Sequence, residues 1–178
     1  ADGWYLRQDI IWHKPNPMPE SVRDRCTKSH EYLFLLSKNK RYYYDNEAIK
    51  EPVKQDWGTR DRTDGKYHNT GTGLQPHSGL TKSYTTKNKR SVWSITNKPY
   101  KGAHFAVFPP DLIEPCILAG SEEGDIILDP FMGTGTTAMV AKKHNRNYIG
   151  CELHEDYASL QTDRIDSVPT PLPAIIWK

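Results

Sequence analysis

The segment ILDPFMGTGTT at residues 127–137 brings together groups that could hold a small ligand. It leaves an apolar run, passes the carboxylate of Asp129 and the ring of Phe131, turns on Gly133 and Gly135, and continues into AMVAKKHN. Two glycines between a strand and a helix allow the backbone to come close to a ligand at the helix N-terminus. A glycine turn that merely links a strand to a helix fits the same letters.

The same segment is similar to a dinucleotide-binding fingerprint. Gly133, Gly135 and Ala138 have the spacing GxGxxA, and Glu152 ends the next apolar run, where an acid of that fingerprint holds ribose hydroxyls. Asp129 argues against a dinucleotide, because a carboxylate beside the loop repels a pyrophosphate and attracts an ammonium group.

The side chains around the glycines suit an adenosine that carries an amino-acid tail. The ring of Phe131 could pack on a flat base, and the hydroxyls of Thr134, Thr136 and Thr137 could donate hydrogen bonds. S-adenosylmethionine has the base, the ribose and the ammonium group that these residues would meet. The residues therefore favour this ligand over a dinucleotide. A dinucleotide would imply an oxidoreductase.

The elements that position this segment are predicted from periodicity. Strand-forming runs cover Asp9–His13, Glu31–Ser37 and Arg41–Tyr44, the last two joined as a hairpin by KNK. RSVWSI is a brief strand, and FPPDLIEPCILAGS is a helix that ends near Gly120. GDIILDP, GTTAMVAKKHN, NYIGCEL and HEDYASLQTDRI alternate strand and helix, which predicts an α/β fold with a right-handed βαβ unit in a parallel sheet.

Charge is unevenly distributed along the 178 residues, although the net charge is only +2. Residues 51–101 carry ten basic and four acidic side chains, whereas residues 102–178 carry five and eleven. Residues 80–101 include six cations and no acid, and residues 51–90 show no regular periodicity. Such a segment favours a polyanionic partner, with a solvated loop as the equally good alternative.

Several other classes of protein are disfavoured. Cys26, Cys116 and Cys151 are widely spaced, which predicts reduced packing residues in a cytosolic protein rather than a disulfide framework or a zinc site. The seven histidines show no metal-ligand spacing, so we expect no metal. The sequence has no apolar run of about 18 residues, the length that a membrane-spanning helix needs. The first residues lack the pattern of a signal peptide.

Several blocks together resemble the amino-methylating DNA methyltransferases, which transfer a methyl group to the exocyclic amine of adenine or cytosine. LDPFMGTGTTAMVAKKHNRNYIGCELHEDY is similar to their cofactor-binding block, and HFAVFPPDLIEPCILAGS to the helix block that precedes it in the permuted beta order. DIIWHKPNPMPESVRDRCTKSHEYLFLLSK followed by RYYYD resembles that branch's central strands and hairpin. The resemblance implies a Rossmann-like S-adenosylmethionine-dependent methyltransferase sheet with an inserted target-recognition region.

The resemblance assigns roles to individual residues. It places the cofactor against Asp129, Phe131, Gly133, Gly135, Thr136 and Thr137, puts Glu152 on the ribose hydroxyls, and sets His104, Ala106, Phe108 and Pro109 beside the methionine end. It makes residues 52–97 the recognition region, within a core of residues 1–51 and 98–166 and before an irregular tail of residues 167–178. Double-stranded DNA would meet four cations without nearby acids in the sequence, Lys82, Lys87, Lys89 and Arg90. Bases could meet Trp57, Tyr67, His68 and Tyr84.

One part of the family pattern has no counterpart in these residues. The family's catalytic tetrapeptide has the form Asp/Asn/Ser-Pro-Pro-Tyr/Trp/Phe, whereas FPPD at 108–111 has the wrong flanks and KPY at 98–100 has a single proline. In the beta order the tetrapeptide comes just before GWYLRQDIIW, so we expect it in an N-terminal segment or a second chain. Its strand would lie between the GDIILDP and RQDIIWHK strands, and without it the sheet is incomplete unless those two strands pair directly.

The sequence thus predicts a segment of a bacterial or phage DNA methyltransferase that acts in the cytoplasm. The segment would hold the cofactor site and the recognition region, and it would be inactive alone. A protein that binds S-adenosylmethionine or DNA without catalysis is the alternative, because the tetrapeptide is absent from these residues.

Overall fold

The structure, a computed structural model, describes residues 2–53, 85–97 and 107–169. The chain divides into two compact units, residues 1–49 with 90–178, and residues 50–89. β3 and β4 form a short antiparallel pair in the second unit, and the other elements belong to the first. In chain order the elements are β1 (Tyr5–His13), β2 (His30–Ser37), β3 (Glu51–Pro52), β4 (Thr86–Lys87), β5 (Val92–Ser94), α1 (Pro110–Gly120), β6 (Ile126–Asp129), α2 (Thr136–Lys143), β7 (Asn147–Gly150) and α3 (Glu155–Asp166).

Three strands of the first unit form a sheet in the order β2-β1-β5. β1 runs antiparallel to β2, from Tyr5 opposite Ser37 to His13 opposite His30. It runs parallel to β5 over Ile11–His13. The predicted strand at Asp9–His13 is therefore the second half of a longer strand, which the partner β2 extends back to Tyr5.

The predicted strand at Arg41–Tyr44 is wrong, because these residues are irregular and β2 pairs with β1 instead. The side chain of Arg7 explains the shape of this segment. Its guanidinium donates hydrogen bonds to the carbonyls of Asn39 and Lys40 at 2.8 and 2.7 Å, and it lies 4.9 Å from the ring centre of Tyr42. These contacts hold the chain beside a cation, and residues 41–44 form no ladder with β2.

One face of the three-stranded sheet packs on α1. Ile10, Trp12, Trp93 and Leu112 form a buried cluster, in which each residue is 5–8% exposed. The indole N–H of Trp12 donates to the carbonyl of Ile95 at 2.8 Å, so the polar atom of this large core residue is also satisfied. The predicted helix at Pro110–Gly120 is confirmed, and its apolar side is what covers the sheet.

The opposite face of this sheet is apolar and open to solvent. Tyr32, Phe34 and Leu36 alternate along β2 and are each about half exposed, and the rings of Tyr32 and Phe34 stack at a centroid distance of 6.0 Å. Leu6 and Val92 on the other two strands are exposed as well. Among the described residues, no strand pairs with the second edge of β2.

β6, α2 and β7 form the predicted βαβ unit. The two strands are parallel, with Asp129 opposite Gly150 at their carboxyl ends. α2 packs on α1 through a cluster that includes Ile117 and Val140, which is 1% exposed. α3 packs on the N-terminal half of α2 through a separate cluster of Met132, Ala138 and Ile165.

The parallel pair is also open on one face. Ile126 and Leu128 of β6 are 62% and 64% exposed, although strands of a parallel sheet are ordinarily covered on both faces. The expectation that a missing strand lies between β6 and β1 is wrong, because β1 is the middle strand of its sheet and both of its edges are paired. Direct pairing of β6 with β1 is also wrong for the described residues, where the strands of the first unit that have an open edge are β2, β5, β6 and β7.

Gly150 sets the distance between β7 and the loop that follows β6. A Cβ atom added to Gly150 would lie 1.7 Å from Cε and 2.4 Å from Sδ of Met132. The Cβ atom of Met132 lies 3.1 Å from the same point and moves only with the backbone, whose amide N–H donates to the carbonyl of Cys151 at 2.9 Å, so rotation of the buried thioether alone does not relieve the whole contact.

We therefore expect Gly150→Ala to lower the free energy of unfolding by about 1–3 kcal/mol, which is typical of an overpacked core. Gly120→Ala is the matched control, because a Cβ atom there meets nothing within 4 Å. Urea unfolding of both variants measures the effect. Equal stabilities for the two variants would show that Met132 repacks freely.

Candidate functional site

The candidate site is built at the carboxyl end of β6. Asp129 is the last residue of that strand, and both of its carboxylate oxygens accept hydrogen bonds from the chain itself. Oδ1 accepts the N–H of Phe131 at 3.0 Å, and Oδ2 accepts the hydroxyl of Thr137 at 2.6 Å. The carboxylate thus joins the strand to the first turn of α2, and the Thr137 hydroxyl that we expected to meet a ligand is donated to Asp129.

The two glycines of the loop both have backbone conformations that favour glycine. Their φ angles are +54° at Gly133 and +80° at Gly135, in the left-handed region. The N–H of Gly135 donates to the carbonyl of Met132 at 3.0 Å, which closes a tight turn directly before α2. The predicted strand–turn–helix is confirmed, and it aims the N-terminus of α2 at the end of β6.

Glu152 fixes this turn from the neighbouring strand. Its Oε2 accepts the N–H of Gly133 at 2.8 Å, and its Oε1 accepts the N–H of His154 at 2.9 Å. The pKa of the Glu152 carboxyl is lowered from its ordinary value, first by the hydrogen bond from the His154 amide and also by that from Gly133. The group is therefore ionised at neutral pH and carries a negative charge beside the loop.

Two side chains of α3, which the sequence reasoning missed, also reach the loop. Nε2 of Gln161 donates to the carbonyl of Gly133 at 2.7 Å, and the guanidinium of Arg164 donates to the hydroxyl of Thr134 at 2.5 Å. Thr134 is 2% exposed. Their spacing of three residues on a predicted helix indicates that the two side chains share one face. The sequence has no signal that predicts contact between that face and the loop.

A cavity of about 390 Å³ adjoins the end of β6. Its walls are mainly apolar, and the carboxylate of Asp129 is the one charged group among the described residues that line it. Phe108, predicted to flank a ligand, lines this cavity together with Asp129 and Thr137. The remaining lining residues are Ile113, Cys116, Ile117, Ile127 and Leu128.

The other predicted cofactor residues are arranged as follows. The ring of Phe131 is 87% exposed, so it projects into solvent beside the loop. Thr136 is buried in the first turn of α2, and Pro109 is buried directly before α1. His104 and Ala106 lie outside the described residues.

The predicted DNA contacts are described only in part. Lys87 and Lys89 have an acid nearby, because their Nζ atoms lie 4.0 and 3.8 Å from the carboxylate of Glu51. The sequence has no acid close to these lysines, and it is the β3–β4 pairing that brings Glu51 opposite Lys87. The carbonyl of Arg90 accepts the indole N–H of Trp93 at 2.7 Å. Residues outside the described ranges are Lys82, Trp57, Tyr67, His68 and Tyr84.

Cysteine, metal and membrane predictions are tested in the described part of the chain. All three cysteines are free thiols, but Cys26 and Cys151 are exposed, so their predicted packing role is wrong. Cys26 lies in a polar loop, and Cys151 follows β7 at the edge of its sheet. Within the described ranges, no group of three or more His, Cys, Asp or Glu side chains could hold a metal ion. None of the helices described there is long and apolar enough to cross a membrane.

A strand, a glycine turn, a helix and a parallel strand followed closely by an acid form the arrangement that is typical of nucleotide-binding α/β proteins. The model of the N6/N4 DNA methylase family matches residues 1–163, and the chain belongs to that family. The resemblance seen in the sequence is thereby confirmed.

Curated relatives of the chain are bacterial Type II methyltransferases. M.SmaI of Serratia marcescens is 51% identical over 164 residues, which are 92% of this chain and 47% of that protein. M.XycI of Xanthomonas campestris pv. cyanopsidis is 46% identical over 164 residues, which are 92% of this chain and 45% of that protein. The chain thus spans about half the length of the curated relatives it matches.

Solved structures share the fold. The cytosine-N4-specific PvuII DNA methyltransferase superimposes with a TM-score of 0.65 at 19% identity, covering 98% of this chain and 54% of that one. The Thermus thermophilus protein TTHA0409, solved with S-adenosyl-L-methionine, superimposes with a TM-score of 0.56 at 27% identity, covering 94% and 56%. The predicted α/β methyltransferase fold is confirmed.

Proposed function

We propose that this chain is the cofactor-binding and DNA-recognition half of a site-specific DNA methyltransferase. The complete enzyme would transfer a methyl group from S-adenosylmethionine to the exocyclic amine of adenine or cytosine in double-stranded DNA. Membership of the DNA methylase family over residues 1–163 carries the proposal, together with the glycine loop beside an apolar cavity. Because the relatives are bacterial Type II methyltransferases, we place it in the bacterial cytoplasm, in a restriction-modification system.

The groups around the loop suit the three parts of this cofactor. A carboxylate has about four lone-pair positions, so Glu152 can accept two ribose hydroxyls beside the amides of Gly133 and His154. The exposed ring of Phe131 can stack on the adenine. The cavity that Phe108 and Asp129 share can take the methionine end, with the ammonium group near the carboxylate.

The remaining assigned residues act through the backbone and shape of the site. Gly133, Gly135, Thr136 and Thr137 present the turn and the first amides of α2, which have no partner within the helix. Pro109 directs the chain into α1 beside the same cavity. We assign His104 and Ala106 to the methionine end on the strength of the family pattern.

The proposed reaction is a direct transfer. In the complete enzyme the lone pair of the base nitrogen would attack the methyl carbon as the carbon–sulfur bond breaks. The sulfur would keep that electron pair as a neutral thioether, and the nitrogen would then lose a proton to solvent. A base amine is a poor nucleophile because its lone pair is delocalised into the ring. The enzyme must extrude the base and hold acceptors beside the amine, so that the nitrogen becomes more tetrahedral as the methyl group arrives.

These acceptors are not offered by the carboxylates of the candidate site. In this assignment both are committed to the cofactor, Asp129 to the ammonium group and Glu152 to the ribose hydroxyls, in addition to the hydrogen bonds that they accept from the chain. The tetrapeptide that supplies the acceptors in this family is absent from these residues. We therefore propose that a further polypeptide segment, either N-terminal or on a second chain, brings the tetrapeptide to the site.

The open sheet faces offer that segment a place to bind. Tyr32, Phe34 and Leu36 line one face of β2, and Leu128 is equally open on β6. A doubly wound sheet carries helices on both faces, and covering these side chains would bury a large apolar area. A segment with strands beside β2 or β6 and helices over these faces would complete the sheet.

A non-catalytic protein that binds S-adenosylmethionine or DNA is the second candidate. The absence of the tetrapeptide from the given residues favours this candidate. The cofactor site would be the same in both cases, so the two candidates differ only in whether a completing segment restores methyl transfer.

The role of Asp129 can be separated from its effect on loop geometry. We expect Asp129→Asn to raise the Kd for S-adenosylmethionine about tenfold to hundredfold, because a charge-assisted contact with the ammonium group contributes about 1.5–3 kcal/mol. Methylthioadenosine lacks the amino-acid tail, so its Kd should stay unchanged. Calorimetry with both ligands measures this. Equal weakening of the two ligands would mean that Asp129 only shapes the loop.

Methyl transfer by the chain alone should be absent. In a tritiated-methyl assay on unmethylated genomic DNA, we expect no incorporation above a boiled control. We further propose that the part of the Serratia marcescens relative outside the matched residues carries the tetrapeptide, so that incorporation appears when that part is added. Phe34→Asp on the open face of β2 should block this rescue, while Met18→Asp, also exposed but in a loop, should not. Activity of the chain alone would refute the assignment.

The lysines near Glu51 give a test of DNA binding. If Lys87 and Lys89 contact phosphates, Glu51→Gln should tighten binding and steepen the slope of log affinity against log salt by about 0.9 for each additional phosphate that a lysine neutralises. Glu47→Gln removes the same charge at a nearby position and serves as the control. Fluorescence anisotropy with duplex DNA at several salt concentrations measures both. The same slope for the two variants would mean that DNA binds at another surface of the chain.

A further inference from the structure

α3 presents two polar side chains to the glycine loop, and neither belongs to the assigned cofactor set. Gln161 and Arg164 are three residues apart, on one face of the helix. Gln161 donates to the carbonyl of Gly133 at 2.7 Å, and Arg164 donates to the hydroxyl of Thr134 at 2.5 Å. Two consecutive loop residues are thus held from the same helix.

The helix also packs directly on the loop. A Cβ atom added to Gly135 would lie 3.4 Å from Cγ of Gln161 and 3.4 Å from Cδ1 of Ile165. Ile165 is buried in a cluster with Met132 and Ala138, which flank the glycines on both sides. Apolar packing therefore fixes the position of α3 against the turn, and the polar contacts form in addition to it.

Glu152 and Gln161 together bind both backbone polar groups of Gly133, the first glycine of the loop. The N–H of Gly133 donates to Glu152 and its carbonyl accepts from Gln161, so both of its backbone polar groups are held by side chains from outside the loop. A segment with two glycines has many conformations when it is unrestrained, and ordering it costs free energy at binding. Holding both peptide planes around Gly133 removes that cost before a ligand arrives.

We propose that Gln161 and Arg164 are positioning residues of the cofactor site, which set the shape of the glycine loop without touching the ligand. The proposal rests on the proposed function for the identity of the ligand. It adds that the affinity for S-adenosylmethionine depends on α3, a helix that follows the βαβ unit in the sequence and lies outside the assigned cofactor set.

The experiment uses variants that keep side-chain length but change hydrogen bonding. Gln161→Met and Arg164→Met remove the donors, Arg164→Lys keeps a donor for Thr134, and Thr162→Ala is the control on the exposed side of the same helix. For each variant, calorimetry gives the Kd for S-adenosylmethionine and a thermal melt gives the Tm. Hydrogen exchange of the Gly135 amide reports the loop in the absence of ligand.

We expect each Met variant to raise the Kd about three- to tenfold, as the loss of one hydrogen bond does, and to speed exchange at Gly135. Arg164→Lys should recover part of the affinity, and Thr162→Ala should match the wild type. A lowered Tm with unchanged Kd and unchanged Gly135 exchange would overturn the proposal, because the side chains would then be merely structural. If the wild-type chain binds no S-adenosylmethionine, the proposed function fails, while exchange at Gly135 still decides whether α3 holds the loop.

Discussion

The hydrogen bond between the Glu152 carboxylate and the Gly133 amide is the contact on which the candidate site depends. It joins the end of β7 to the loop after β6, across 19 residues of sequence. The contact is possible because the two strands are parallel neighbours with Asp129 opposite Gly150, so their carboxyl ends meet at one edge. Gly150 leaves space for Met132 between them. A register shift by one residue would separate the acid from the loop and remove that space.

α1 holds the rest of the first unit to this site. Its Leu112 completes the cluster under β1 and β5, and its Ile117 completes the cluster under α2 and β6. Glu114 on the same helix accepts hydrogen bonds from Lys143 at 2.7 Å and from His144 at 2.6 Å, at the end of α2. One short helix therefore supports both sheets and lines the cavity beside Asp129.

Local signals in the sequence were sufficient for most elements near the site. Pro109 and Pro110 marked the start of α1, and the change from apolar alternation to glycine and threonine marked the turn into α2. The predicted strand at 41–44 failed because its aromatic residues suit a strand, whereas the deciding contacts come from Arg7, more than thirty residues away. Long-range contacts also decided the position of Glu51 near Lys87 and that of Gln161 on the loop. Such contacts depend on how elements pack, and no local pattern encodes them.

Among the residues that the structure describes, β2 has one unpaired edge, and this edge has a consequence for the behaviour of the isolated polypeptide. Residues His30–Ser37 contain no proline and no lysine, and their one acid, Glu31, lies at the end of the strand. Natural edge strands usually carry such residues, because an unprotected edge recruits strands from other molecules. The same strand also exposes about half of each of the side chains of Tyr32, Phe34 and Leu36. At high concentration the chain is therefore prone to self-association and aggregation, and its solubility should depend on how soon after synthesis that edge is covered.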